Sequence, residues 1–358
     1  MVNDGNRLMK QEIPWIHLVR VLACIMVVCL HVCSAANSYP KDNFDAAFLN
    51  SIYYATKPCV PLFFIVTGYL ILPYKSGDNI MSFYKKRISR IFFPLITWGI
   101  IYSILPFFLG LNNIHDTIKE LVLSPIKAPD QVGGILWYLF ILIGIYLVIP
   151  FFSERIYDNK TFLRIYLLIW GGTTIIPILK NYYLQNQDLL GQCHYLHNFD
   201  MYVYFSGYLG FLFVGCGIRK YNDFLYIFNS NKYTGPNRFL YFIILSLTII
   251  ICFFKTILVE YFLTIGTVVI TICLFMLLKD VKIDIDGKKY KVIKHISNMS
   301  FGVYLCHMVI LKSFAEPLFT IISASWYVVF LCMIITFSGA CALTSIISKL
   351  PFKKMIIG

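Results

Sequence analysis

The most telling shortage in this 358-residue chain is charge: Asp, Glu, Lys and Arg together make up 14% of it. Soluble domains carry about 25%. Polar surface is too scarce to coat a water-soluble globule, so the two soluble domains that length alone would allow are excluded. The signatures of common soluble enzymes are also missing. There is no Walker loop, no GxSxG and no HExxH. The eleven cysteines form no CxxC pair and no Cys/His metal spacing, so no metal site is expected. Most of them sit inside apolar runs (Cys24, Cys29, Cys216, Cys252, Cys273, Cys306, Cys332, Cys341), where they act as small hydrophobes. Cys33, Cys59 and Cys193 fall near one predicted face, which leaves room for a single disulfide. No low-complexity linker, attached soluble domain or inverted repeat interrupts the chain, and the missing repeat counts against a transporter.

What the chain has is apolar length. Apolar residues reach 58% and mean hydropathy is +0.71. A helix needs about 20 mostly apolar residues to span a bilayer. Ten stretches qualify: Ile16–Ala36, Ser51–Leu72, Ile91–Leu111, Ile135–Phe152, Phe162–Leu179, Met201–Ile218, Phe239–Phe254, Tyr261–Leu278, Ser297–Ile321 and Trp326–Ser348. The expectation is one all-α polytopic membrane unit over residues 1–358, a bundle of about ten transmembrane helices. The first stretch is long, contains Arg20 and His31, and lacks a small-x-small cleavage site, so it reads as a span rather than a signal peptide.

An even number of spans puts both termini on one side. That side collects 23 Lys and Arg in its loops and tails against 7 on the other. The positive-inside rule then predicts cytoplasmic termini in a cell (inner) membrane. The same rule accounts for the net charge of +13, so no nucleic acid partner is expected.

Several polar residues fall inside or beside these spans. Arg20 and His31 are eleven residues apart on the first helix. At 100° per residue they share a face, about 16 Å apart along the axis. Ionisable groups at such depth are costly and usually face a cavity or a partner. The alternatives are a snorkelling arginine and a neutral, hydrogen-bonded core histidine, and the residues alone leave both open. Arg87 and Arg90 stand one turn apart where the third span begins. Their forks suit phosphate, and they equally suit membrane anchoring. Ser300, Tyr304 and His307 form one polar stripe on the ninth span, fit for interhelical hydrogen bonds or for chemistry. Trp137, Tyr138, Tyr202 and Tyr204 lie at predicted outer helix ends, where an aromatic belt is expected rather than a sugar platform. Pro58, Pro61 and Gly68 make the second span irregular, as happens where backbone lines a cavity.

These residues resemble a known family. Arg20-x10-His31 resembles the hallmark of the acyltransferase family 3 membrane proteins. Val60-Pro61-Leu62-Phe63-Phe64-Ile65-Val66-Thr67-Gly68-Tyr69-Leu70 is similar to their second-helix motif, VPLFFxxSGYL, with Thr67 keeping the hydroxyl of the usual Ser. Arg87-x-x-Arg90 matches an RxxR at the start of the third helix. Leu136-Trp137-Tyr138-Leu139, with Ile145 through Pro150, looks like the fourth. Ser300-Phe301-Gly302-Val303-Tyr304-Leu305-Cys306-His307 resembles S-x-G-x-Y-x-x-H. Within the family the likeness is to the WecH-type O-acetyltransferases.

The resemblance implies transfer of an acyl group, acetyl above all, from cytoplasmic acyl-CoA to a hydroxyl of a cell-surface or lipid-linked glycan. It implies His31 as general base or covalent acyl carrier, Arg20 as orienting or charge-stabilising group, and Arg87 and Arg90 as ligands of the CoA phosphates. Ser300, Tyr304 and His307 take supporting roles around the same cavity. No permanent cofactor is implied; the partners are acyl-CoA, the saccharide acceptor and membrane lipid. An acidic partner for the histidine would come from Glu260, Glu316 or Asp200. The competing classes are a transporter or flippase of a glycan or lipid, and a non-catalytic partner in a glycan-synthesis complex.

Overall fold

In a computed structural model of the chain, the described residues are 12–72, 79–130, 132–152, 159–175, 195–221, 238–254, 262–279 and 281–358, without the side chains of 195–206 and 252–254. The described elements are helical, with no strand among them. They are α1 (Pro14–Ala36), α2 (Asn43–Ala55), α3 (Cys59–Ile71), α4 (Ile80–Phe108), α5 (Ile114–Leu123), α6 (Trp137–Val148), α7 (Lys160–Thr173), α8 (Tyr195–Lys220), α9 (Arg238–Phe254), α10 (Ile265–Leu278), α11 (Lys288–Ile310) and α12 (Trp326–Ile347). Each of the ten apolar stretches carries one or two of them.

Among the described residues, five segments are long and apolar enough to cross a membrane: Pro14–Ala36, Asn43–Ile71, Ile80–Phe108, Gly133–Phe151 and Trp326–Ile347. α9 and α10 are shorter apolar helices. Large apolar side chains point outward, as at Phe108 and Leu168, which are 77% and 76% exposed. In water such a surface would aggregate, whereas in lipid it is the solvated face. The chain is an all-α polytopic membrane protein.

Local chemistry sets the helix ends. Pro14 opens α1, where its missing N–H costs nothing. Asp42, Asn79, Asn113 and Asn159 cap α2, α4, α5 and α7 by accepting from backbone N–H groups in the first turn, at 2.7 to 3.1 Å. The second stretch is broken as expected: α2 ends at Ala55, and α3 restarts after Thr56, Lys57 and Pro58. Pro58 lacks a donor and its ring clashes with the preceding turn, which interrupts the helix there. Several boundaries differ from the sequence reading. α4 and α11 begin 11 and 9 residues earlier, because basic turns, capped by Asn79 in α4 alone, extend both helices beyond their apolar parts. α11 also ends in a π-turn, Leu311–Ala315, before a short helix, Pro317–Ile321. α5 is an unforeseen helix within the loop after the third span.

α1 is the spine of the bundle, packing on α2, α3, α10, α11 and α12. The closest crossing joins α3 to α8. A Cβ at Gly68 would strike the backbone of Leu212, and one at Gly215 would strike the Ile65 carbonyl. Small residues let helix backbones approach where lipid supplies no hydrophobic driving force. Cys33 and Cys59, two of the three cysteines open to pairing, are buried free thiols, while Cys193 lies outside the described residues. No disulfide joins the described cysteines.

Candidate active site

α1 exposes one long stripe to a cavity of about 1490 Å³. Its lining on this segment runs from Ile13 to Ser34, about 30 Å of helix at 1.5 Å per residue. That is close to the hydrocarbon thickness of a bilayer. Arg20 and His31 both line the cavity, so the shared face expected from their spacing is the face turned inward. Neither is a lipid-facing residue.

One end of the cavity is cationic. Arg20, Arg87, Arg90 and Arg219 all contribute to its wall. The Arg219 guanidinium donates to the Tyr69 carbonyl at 2.8 Å, at the last turn of α3, and lies over the Tyr69 ring. Among the described residues no carboxylate pairs with any of the four. The one acidic side chain in the wall, Glu12, is engaged elsewhere: Lys294 donates to it at 2.7 Å and holds its carboxyl below the usual range. His17, on the same side, shares a hydrogen bond of 2.9 Å with Ser297. Four guanidinium groups clustered with no pairing carboxylate among the described residues favour an anionic ligand.

The other end holds His31. Its ring lies 5.1 Å, centroid to centroid, from that of His307, which is fully buried. The Nδ1 of His307 is 2.6 Å from the Tyr304 carbonyl, which can only accept, so Nδ1 carries the proton. Its Nε2 is buried with no hydrogen-bond partner among the described residues. Ser300 and Tyr304 line the cavity, with the Tyr304 hydroxyl donating to the Ile135 carbonyl and the Ser300 hydroxyl to the Ser297 carbonyl. His307 does not line it. The expectation that all three residues border the cavity is therefore corrected. His307 is instead fully buried, with its ring packed against that of His31.

Of the acidic candidates for His31, Glu316 pairs with Lys312 at 2.7 Å and accepts from the Tyr39 hydroxyl at 3.3 Å. Neither contact brings it to a histidine. Glu260 and the side chain of Asp200 lie outside the described residues.

Three features escaped the sequence reading. Arg219 and Lys57 counted there only as loop charges, yet both line the cavity. Lys57 is 6% exposed. A signal existed at Lys57, which directly precedes the Pro58 break. Trp137 and Tyr138, assigned to an aromatic belt, are cavity walls instead. The side chains of Tyr202 and Tyr204 lie outside the described residues.

A membrane-embedded helix bundle enclosing a deep cavity, cationic at one end and histidine-bearing further along, defines the class. A family model described as an acyltransferase domain, that of acyltransferase family 3, matches residues 13–345. The chain belongs to that acyltransferase family. No curated protein and no solved structure matches it.

Proposed function

We propose that the protein is a membrane O-acyltransferase that takes its acyl group, acetyl foremost, from cytoplasmic acyl-CoA and delivers it to a hydroxyl of a cell-surface or lipid-linked glycan. The observation carrying this reading is the one cavity shared by Arg20 and His31, with a cluster of arginines at one end. Arg87, Arg90 and Arg219 hold the CoA phosphates at the cytoplasmic mouth of the inner membrane. The pantetheine arm runs past Arg20, and the thioester meets the acceptor hydroxyl near His31.

His31 takes the hydroxyl proton as the oxygen attacks the thioester carbonyl. The carbon–oxygen bond of the ester forms, the carbon–sulfur bond breaks, and the departing thiolate recovers the proton from His31. Arg20 orients the donor and offsets negative charge that develops along it. His307 supports the His31 ring from behind, and Ser300 and Tyr304 shape the wall. Both termini are cytoplasmic in this scheme.

The test is consumption of acetyl-CoA by membranes containing the protein, measured with and without purified surface glycan, alongside mass spectrometry of the glycan. Acceptor-dependent release of CoA with gain of an acetyl ester is the expected result. Movement of glycan across the membrane without CoA release would sink this reading in favour of a flippase.

A further inference from the structure

Lys57 occupies an unusual position. It sits in the three-residue break between α2 and α3, is 6% exposed, and lines the cavity together with His31. Its ammonium group has three donors. One reaches the Tyr53 hydroxyl at 2.9 Å. Two aromatic faces also meet it, with the Tyr53 ring centroid at 4.3 Å and that of Phe262 at 5.1 Å. Among the described residues no carboxylate pairs with it. Burying a cation without a counter-ion is costly, and at membrane depth such groups mark ligand or ion sites. Cation–π contacts offset part of that cost and leave the charge intact.

The surroundings of Lys57 suit a sugar. Trp137 and Phe262 lie with ring centroids 5.6 Å apart, and both line the cavity. Together they give this part of the cavity an apolar, aromatic wall against which a pyranose ring can rest. Lys57 and His31 line the same cavity, so a group bound at Lys57 shares that cavity with the imidazole.

We propose that Lys57, with Tyr53 beside it and Trp137 and Phe262 as the wall, reads a negative charge on the acceptor, so that the acceptor is an anionic saccharide. The charge is a phosphate or a carboxylate close to the hydroxyl that is acylated. This rests on the acyltransferase reading for the identity of the acceptor, while the anion site itself stands on the geometry of Lys57. The arginine cluster serves the donor, and Lys57 is a separate cationic site on the acceptor side of His31.

The experiment is calorimetric titration of the detergent-solubilised full chain with three probes: glucose 1-phosphate, methyl glucuronide and neutral methyl glucoside. Wild type should bind at least one anionic probe about tenfold or more tightly than the glucoside, and which one binds distinguishes phosphate from carboxylate. Lys57→Met should erase the preference, and Lys57→Arg, which keeps the charge, should retain most of it. Acetyl-CoA titration of each variant should be unchanged, which also shows that the variants fold. Equal binding of all three probes by wild type, no binding of either anion, or a charge preference that survives Lys57→Met would overturn the proposal. Anion preference without any acetyl transfer would instead remove the acyltransferase reading and leave the anion site standing.

Discussion

His307 stands directly behind His31, its ring 5.1 Å away and its Nδ1 proton committed to the Tyr304 carbonyl. That commitment leaves Nε2 as the unprotonated nitrogen, buried without a hydrogen-bond partner among the described residues. The two histidines therefore differ in placement: His31 meets the cavity, and His307 meets His31.

From this difference, His31→Ala should lower acyl transfer by about 10²–10⁴-fold, the usual contribution of a general base, without lowering membrane abundance. His307→Ala should cost about tenfold, since its effect passes through the position of the His31 ring. Initial rates at varied acetyl-CoA and acceptor check the mechanism. Intersecting reciprocal plots are expected, and parallel plots would instead make His31 a covalent acyl carrier. Normal transfer in His31→Ala would remove the catalytic assignment.

At the cationic mouth, replacing Arg87 and Arg90 together with alanine should raise KM for acetyl-CoA by about tenfold or more, because charged hydrogen bonds contribute about 1.5–3 kcal/mol each. Lysine at both positions should rescue only part of this, since lysine lacks the planar fork. Direct CoA binding to purified protein is the measurement. Unchanged affinity in the alanine pair would reduce both arginines to membrane anchors.

Gly68→Ala should destabilise the protein by about 1–3 kcal/mol through overpacking at the α3–α8 crossing. The added methyl strikes the Leu212 backbone, which cannot swing aside as a side chain would. Thermal melting in detergent should show a lower Tm for Gly68→Ala. Gly171→Ala, at a position with open space around it, should leave Tm unchanged. Equal melting of the two variants would contradict the close crossing.

Topology follows from the distribution of Lys and Arg over the loops. Reporter fusions after Asn79 and after Ile347 should read cytoplasmic, and one after Asn112 should read extracytoplasmic. The reverse pattern would invert the donor and acceptor ends of the cavity.

The first helix was largely legible in the sequence because its information is local. Apolar length marks the span, and an eleven-residue spacing places Arg20 and His31 on one face. The break at Pro58 was legible for the same reason. The burial of Lys57 was not, because it depends on Phe262, which lies far along the chain and arrives through tertiary packing. The burial of His307 against His31 was equally hidden, since helical spacing gives a direction around one axis and says nothing of what the neighbouring helix places there. Trp137 shows how a true statistical tendency misleads. Aromatics do collect at membrane interfaces, but a helix end that opens onto a cavity offers them a second place to lie. α5 is short, and without its Asn113 cap little in its length announces a helix.

Carrying Arg20 and His31 on one uninterrupted helix makes α1 a gauge. The distance from the cationic mouth to the imidazole is set by a count of residues, and no hinge in Pro14–Ala36 can adjust it. A single residue inserted between the two would swing the imidazole about 100° around the axis, out of the cavity. Seven inserted residues would bring it back to within about 20° of its original bearing but about 10 Å farther away. A donor arm of fixed length would then fall short of a correctly pointed base. Rotational phase and reach can be separated in this protein by insertion alone, and under the proposed function α1 would then measure the length of the donor.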